Sequence, residues 1–102
     1  MTKKPLISCL CVTKNDSVRK AVAYFQKQTY DNKELILVSE MNNENLSYLQ
    51  EVAANNGDIH FTMRGDMITL GDLRNISVAE ANGEYVVQWD DDDYFHEERI
   101  EI

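Results

Sequence analysis

Tyr85-Val86-Val87-Gln88-Trp89-Asp90-Asp91-Asp92-Asp93 joins an apolar run directly to four consecutive carboxylates. A run rich in β-branched and aromatic residues reads as a buried strand. The acids then stand at the carboxyl end of that strand, where open α/β sheets hold their ligands. Asp90 and Asp92 are one residue apart and can turn towards one hard cation. Oxygen donors suit Mg²⁺ or Mn²⁺, and Mg²⁺ usually completes its shell with water and substrate phosphates. A solvated acidic turn is the competing reading of such a run. The strand in front of it favours a metal–diphosphate site.

Working outward, strand and helix alternate along the whole chain. Leu6 to Thr13 predicts a first strand, apolar enough to be buried on both faces. Asn15 or Asp16 can cap the next helix, in which Val18, Ala21, Val22 and Phe25 form one apolar stripe. Leu35 to Val38 reads as the second strand. Asn43 or Asn45 opens a second helix with Leu46, Leu49, Val52 and Ala53 facing inward, and Gly57 stands at its C′ position. Ile59 to Met63 reads as a short third strand. After a loop from Arg64 to Thr69, a third helix turns Leu73, Ile76 and Ala79 inward, and Gly83 ends it before a fourth strand, Glu84 to Trp89. Four strands joined by helices imply right-handed crossovers. The fold class is α/β: a Rossmann-like, open, mainly parallel sheet with helices on both faces.

With 102 residues the chain fits one small domain, and the whole of it, 1–102, reads as a single unit with no internal linker or repeat. The formal charge of −8, from 10 basic and 18 acidic residues, argues against nucleic acid as a partner. No apolar stretch is long enough to span a bilayer, and no signal peptide is evident. Cys9 and Cys11, the two cysteines, alternate onto one face of the first strand. They are too few and too close for a disulfide framework or a zinc site, and read as buried thiols of a cytoplasmic protein.

This architecture hosts many chemistries, so the motifs must discriminate. The turn after the first strand, Thr13-Lys14-Asn15-Asp16, has none of the glycines of a dinucleotide fingerprint. There is no P-loop, so the acid run cannot be its Walker B partner, and no nucleophile elbow. The cysteines lack a nearby histidine in sequence, and His60 and His96 read as structural or exposed. A metal-bridged phosphate site remains.

Several short segments resemble family 2 glycosyltransferases of the GT-A fold. They are Pro5-Leu6-Ile7-Ser8, Gln28-Thr29-Tyr30, Glu34 to Val38, Leu73-Arg74-Asn75, Gly83-Glu84-Tyr85-Val86 and Asp90-x-Asp92, in that order. The resemblance spans essentially the whole chain but only the nucleotide-binding half of the family's domain. It implies transfer from a nucleoside-diphosphate sugar, UDP-sugar by family habit, to a saccharide or other hydroxyl acceptor, as in polysaccharide biosynthesis. It further implies inversion at the anomeric carbon and a Mn²⁺ or Mg²⁺ cofactor.

The resemblance also implies roles for residues. Thr13 and Asn15 match the loop that lines the nucleotide pocket, although Lys14 stands where the family commonly has an aromatic residue. Ser39-Glu40 stands where the family has two aspartates, the second of which accepts a hydrogen bond from the base. Glu40 keeps an acceptor but is one methylene longer. Arg74 matches an arginine that reaches the nucleotide site, its other reading being a solvated helix residue. Asp90 looks like the acid that contacts ribose and metal, and Asp92 like the direct metal ligand. Asp91 and Asp93 fall outside that first set. Trp89 either closes the pocket or is core.

The family's catalytic base lies in the acceptor half, so it is expected beyond Ile102; Glu97, Glu98 and Glu101 read as a charged helix start. The donor half alone should transfer sugar weakly or not at all. Its sheet edge invites a homodimer. The alternative of a different class is a non-catalytic metal- or nucleotide-binding module, or a protein-interaction module, on the same fold.

Overall fold

The computed structural model describes residues 4–13, 18–40, 45–65 and 70–89. Seven elements follow in order: β1 (Ile7–Val12), α1 (Val18–Gln26), β2 (Lys33–Glu40), α2 (Leu46–Asn55), β3 (Ile59–Arg64), α3 (Leu70–Glu80) and β4 (Tyr85–Gln88). The four strands form one parallel sheet in the order β3-β2-β1-β4. β1 is therefore central, with Cys9 opposite Leu35 on one side and Val87 on the other.

Side-chain alternation along β1 feeds two separate cores. Ile7, Cys9 and Cys11 pack with Leu35, Leu37 and Ile59 under the α1 stripe of Val18, Ala21, Val22 and Phe25 and under Leu49 of α2. Leu10 packs on the opposite face with Ile36, Val38 and Leu73 of α3, flanked by Val12, Ile76 and Ala81. Crossover handedness explains this division. The chain steps from β1 to β2 to β3 in one direction, then returns past β2 and β1 to reach β4. With one preferred hand, reversing direction moves the connecting helix to the other face. The α/β sheet with helices on both faces is thus as the sequence predicts, and Cys9 and Cys11 are buried, with no disulfide among the described residues.

Four local expectations are corrected. β4 is not a buried strand: Tyr85 and Val86 are 61% and 51% exposed, because β4 pairs only with β1 among the described residues and lies at the end of the strand order. Ala79 is exposed and Ser77 is buried in its place, its Oγ–H donating to the Arg74 carbonyl at 2.7 Å. The α2 helix is stopped by Asn56, which is extended (φ −134°, ψ 115°) and whose Nδ2–H donates to the Val52 carbonyl at 2.8 Å. Gly57 follows it at C′ without a left-handed backbone.

The fourth correction is Gly83, which does not end α3. Its N–H donates to Ser8 Oγ at 2.8 Å, and the neighbouring Glu84 N–H donates to the Leu6 carbonyl at 2.9 Å. A Cβ at Gly83 would stand 2.6 Å from Ser8 Oγ, 2.7 Å from the Leu6 carbonyl oxygen and 2.8 Å from Ser8 N. Two of those three atoms are backbone, one in the central strand and one just ahead of it, and cannot yield. The glycine is required because the chain must press against β1 to begin β4.

The segment that follows α1 is also tied down. Lys33 at the start of β2 donates Nζ–H bonds to the Phe25 and Gln28 carbonyls at 2.6 and 2.9 Å, satisfying the end of α1. Burial pushes its ammonium below the usual lysine range, against the opposing charge of Asp58 and Asp31. Gln28 Nε2–H donates to the Tyr24 carbonyl at 3.2 Å, and the Tyr30 hydroxyl donates to the Pro5 carbonyl ahead of β1.

Substituting Gly83→Ala should destabilise the protein by about 1–3 kcal/mol through forced backbone displacement. Gly57→Ala, where a Cβ meets nothing within 4 Å, should change stability by no more than about 0.5 kcal/mol. Urea unfolding of the two variants side by side measures the difference.

Candidate functional site

In a parallel sheet of order β3-β2-β1-β4 the chain reverses direction between β1 and β4. The connection leaving β1 passes over one face and the helix arriving at β4 lies on the other. The carboxyl ends of these two strands are therefore the topological switch point, the position at which open α/β sheets form a ligand crevice. Thr13 follows β1 directly, and its N–H donates to the Val38 carbonyl at 3.0 Å. Trp89 follows β4 directly, and its N–H donates to the Leu10 carbonyl at 2.8 Å. The two loop starts are thus held against adjacent rungs of the sheet, and Asp90 is the next residue along the chain.

Trp89 is core. It is fully buried, and its Nε1–H donates to the Ala21 carbonyl of α1 at 3.0 Å. The indole therefore fastens the end of β4 to the helix that covers β1. Thr13 is also fully buried. Glu40 ends β2 at the same edge of the sheet and is half-buried, opposite Arg64 in the register with β3. The preceding Ser39 is buried, its Oγ–H donating to the Glu40 carbonyl at 3.0 Å. β2 is longer than its apolar run, so the Ser39-Glu40 pair belongs to the strand rather than to the loop after it.

Arg74 is exposed on α3, about 6 Å along the helix axis from its first residue at 1.5 Å per residue. Asn15, Asp90, Asp91, Asp92 and Asp93 lie outside the described residues, as do His96, Glu97, Glu98 and Glu101. The described residues contain no cluster of three or more potential metal-ligating side chains. A cavity of about 350 Å³ lies between α1 and α2, lined by Arg19, Tyr48, Glu51, Val52, Asn55 and Asn56. The Arg19 guanidinium sits 4.1 Å from the Tyr48 ring centroid there, and the lining includes none of the residues predicted to bind nucleotide or metal.

One constellation has no counterpart among the residues picked out from sequence. Glu34, near the amino end of β2, is buried and accepts from Ser8 Oγ–H at 2.5 Å and from Asn82 N–H at 2.7 Å. The Asn82 side-chain amide adds a third bond at 3.2 Å, and His60 Nε2 stands 3.4 Å away. Ser8, Glu34 and Gly83 all fall in segments that carry the family resemblance. An acid directly ahead of the apolar run Leu35–Val38 was the available signal, but its partners lie 26 to 48 residues away.

Comparison with known proteins gives the following. The sequence model described as Glycosyl transferase family 2 matches residues 8–102. No curated protein matches. Among solved structures, S. aureus TarS 1-349 is similar with a TM-score of 0.77 and 21% identity, over 89% of this chain and 28% of that one. The same protein in complex with UDP-GlcNAc gives a TM-score of 0.72 at 20% identity, over 92% and 28%. In complex with UDP it gives 0.70 at 22%, over 92% and 29%. At that identity the likeness establishes the fold, which is that of the GT-A neighbours. The chain spans less than a third of the TarS chain it matches.

The Trp89 anchor yields a graded stability test. Trp89→Phe removes the N–H that reaches Ala21 and should cost about 1–2 kcal/mol. Trp89→Ala, which also empties the site, should cost about 3–5 kcal/mol. Chemical unfolding followed by circular dichroism checks both.

Proposed function

The chain belongs to glycosyl transferase family 2, and from that premise we propose that it binds the donor of an inverting, metal-dependent sugar transfer. The donor is a nucleoside-diphosphate sugar, with UDP-sugar favoured. The observation that carries this reading is the switch point between β1 and β4, whose two loop starts are hydrogen-bonded to β2 and β1. Asp90 to Asp93 follow immediately after one of them. The TarS structures with UDP-GlcNAc and with UDP support the choice of nucleotide for a chain of the same fold.

The chemistry asks for charge management. Breaking the bond between an anomeric carbon and a diphosphate builds negative charge on the departing oxygens, and groups aimed at that charge lower the barrier. Asp90 and Asp92 form an all-oxygen donor set that fits a hard cation, so these two would hold Mn²⁺ or Mg²⁺. Bound there, the cation supplies neutralisation of the diphosphate. Arg74 would add a guanidinium towards the same phosphates. Thr13 and Asn15 would form the wall of the nucleotide pocket and Asp90 would also hold the ribose. Glu40 would accept a hydrogen bond from a ring N–H of the base. The acceptor hydroxyl, on a saccharide or another alcohol, needs a general base, and this reading assigns that role to none of the residues in the chain.

Calorimetric titration with UDP, with and without Mn²⁺, tests the assignment. UDP should bind only with the metal, and Asp92→Asn should weaken metal and UDP affinity together by about tenfold or more. Asp93→Asn should do much less. Binding that ignores the metal, or equal losses from the two variants, would contradict the roles given to these aspartates.

Glu40 generates a separate expectation about the base. Uracil and guanine offer a ring N–H, whereas adenine and cytosine do not, so UDP and GDP should bind more tightly than ADP and CDP. Glu40→Ala should flatten that preference by removing an acceptor worth about 1–3 kcal/mol. Competition titrations of the four diphosphates against both proteins measure it, and an unchanged ranking would remove Glu40 from base recognition.

A further inference from the structure

Glu34 sits at the amino end of the sheet, on the opposite side from the switch point, yet it touches the segment that leads to it. Its carboxylate receives bonds from Ser8 of β1, from the backbone and side chain of Asn82, and faces His60 of β3. Ser8 Oγ relays the contact, accepting the Gly83 N–H at 2.8 Å while donating to Glu34. Asn82 and Gly83 form the turn that launches β4. Three strands and the β4 turn thus converge on one buried acid.

Each of these hydrogen-bonded partners is a donor towards Glu34. An ionised carboxylate is acceptor-only and satisfies a hydroxyl, a backbone N–H and an amide N–H together. A neutral carboxyl would aim its own O–H at that ring of donors. We propose that Glu34 is an ionisation-controlled latch that positions β4: charged, it holds the Asn82–Gly83 turn against β1; neutral, it lets that turn and β4 loosen. The latch stands on the geometry alone, and its effect on the acid run rests on the nucleotide-sugar reading. β4 is short, three of its four residues are exposed, and β1 is its pairing partner among the described residues. Its position therefore depends heavily on how it begins.

Burial by itself raises the Glu34 carboxyl, and the bonds from Ser8 and Asn82 with the nearby His60 more than reverse this, leaving it below the ordinary carboxylate range. A carboxyl depressed in the folded state adds stability above its unfolded value near 4, and that stability is lost as pH falls through the lower folded value. His60 is the titratable group that faces Glu34 across the sheet; β1 and the turn present Ser8 and Asn82, which do not titrate. Removing the imidazole should therefore raise the pH at which the latch opens.

Amide hydrogen exchange of the protein, followed as protection factors between pH 7 and pH 2.5, tests this without any nucleotide. In the wild type, residues 82–88 should lose protection by about tenfold or more below pH 4, ahead of β1 and β2. Glu34→Gln should already show reduced protection of residues 82–88 at pH 7 and little further change on acidification. His60→Gln should move the wild-type transition to higher pH. Equal protection of residues 82–88 in Glu34→Gln and wild type at pH 7 would overturn the proposal. So would a wild-type β4 that opens only together with β1 and β2, and this second result decides the matter even where Glu34→Gln fails to fold. An unmoved transition in His60→Gln would overturn the part assigned to His60.

Discussion

Everything in this structure hangs on β1 being paired along both edges. Its left-hand partner, β2, continues the chain in the direction it set out, and its right-hand partner, β4, is reached only after the chain has turned back. That reversal separates the helices onto two faces and makes the carboxyl ends of β1 and β4 the switch point. It also demands a strand buried on both sides, which is why residues 7–11 are wholly buried and small thiols occupy two of those positions. A bulkier pair there would have to displace Phe25 or Leu37 from the same cluster.

The two ends of β4 are held by different physics. At its start, a glycine pressed against the central strand and a buried carboxylate fix the turn through hydrogen bonds. At its finish, a buried indole fixes the next residue through packing and one bond to α1. Between these anchors the strand itself buries little. The position of Trp89, the last described residue before the acid run, is therefore set by β1 and α1 more than by β4's own apolar content.

Local periodicity made most of the fold legible. The α1 stripe of Val18, Ala21, Val22 and Phe25 and the apolar runs of β1 and β2 announce their faces within a few residues, and all of those side chains are buried where the pattern puts them, save the half-buried Val12 at the end of β1. The misreadings share another cause. Tyr85 and Val86 are apolar enough for a buried strand, but exposure depends on strand order, which no short window contains. Ala79 and Ser77 differ by half a turn of helix, and the crossing of α3 over the sheet decides which one is covered. Gly83 looks like a helix stop because glycine serves both purposes. Among the candidate site residues, the carboxyl-edge placement of Thr13 and Glu40 follows from their positions at strand ends. The exposed position of Arg74 on α3 does not, since it depends on how that helix is rotated. The Glu34 network was least legible of all, because it joins positions from residue 8 to residue 83.

Gathering of nucleotide and metal at the carboxyl ends of β1 and β4 is measured most directly through the paramagnetism of Mn²⁺. The opposite ends of a six-residue strand are roughly 17–20 Å apart, far enough for the broadening to discriminate. Adding Mn²⁺ with UDP to the isotopically labelled protein should bleach the amide signals of Val12, Thr13 and Trp89. Those of Ile7, Asn32 and Gly83 at the other edge should survive. Bleaching centred on Gly83 and Ile7, or spread evenly over the sheet, would contradict the account.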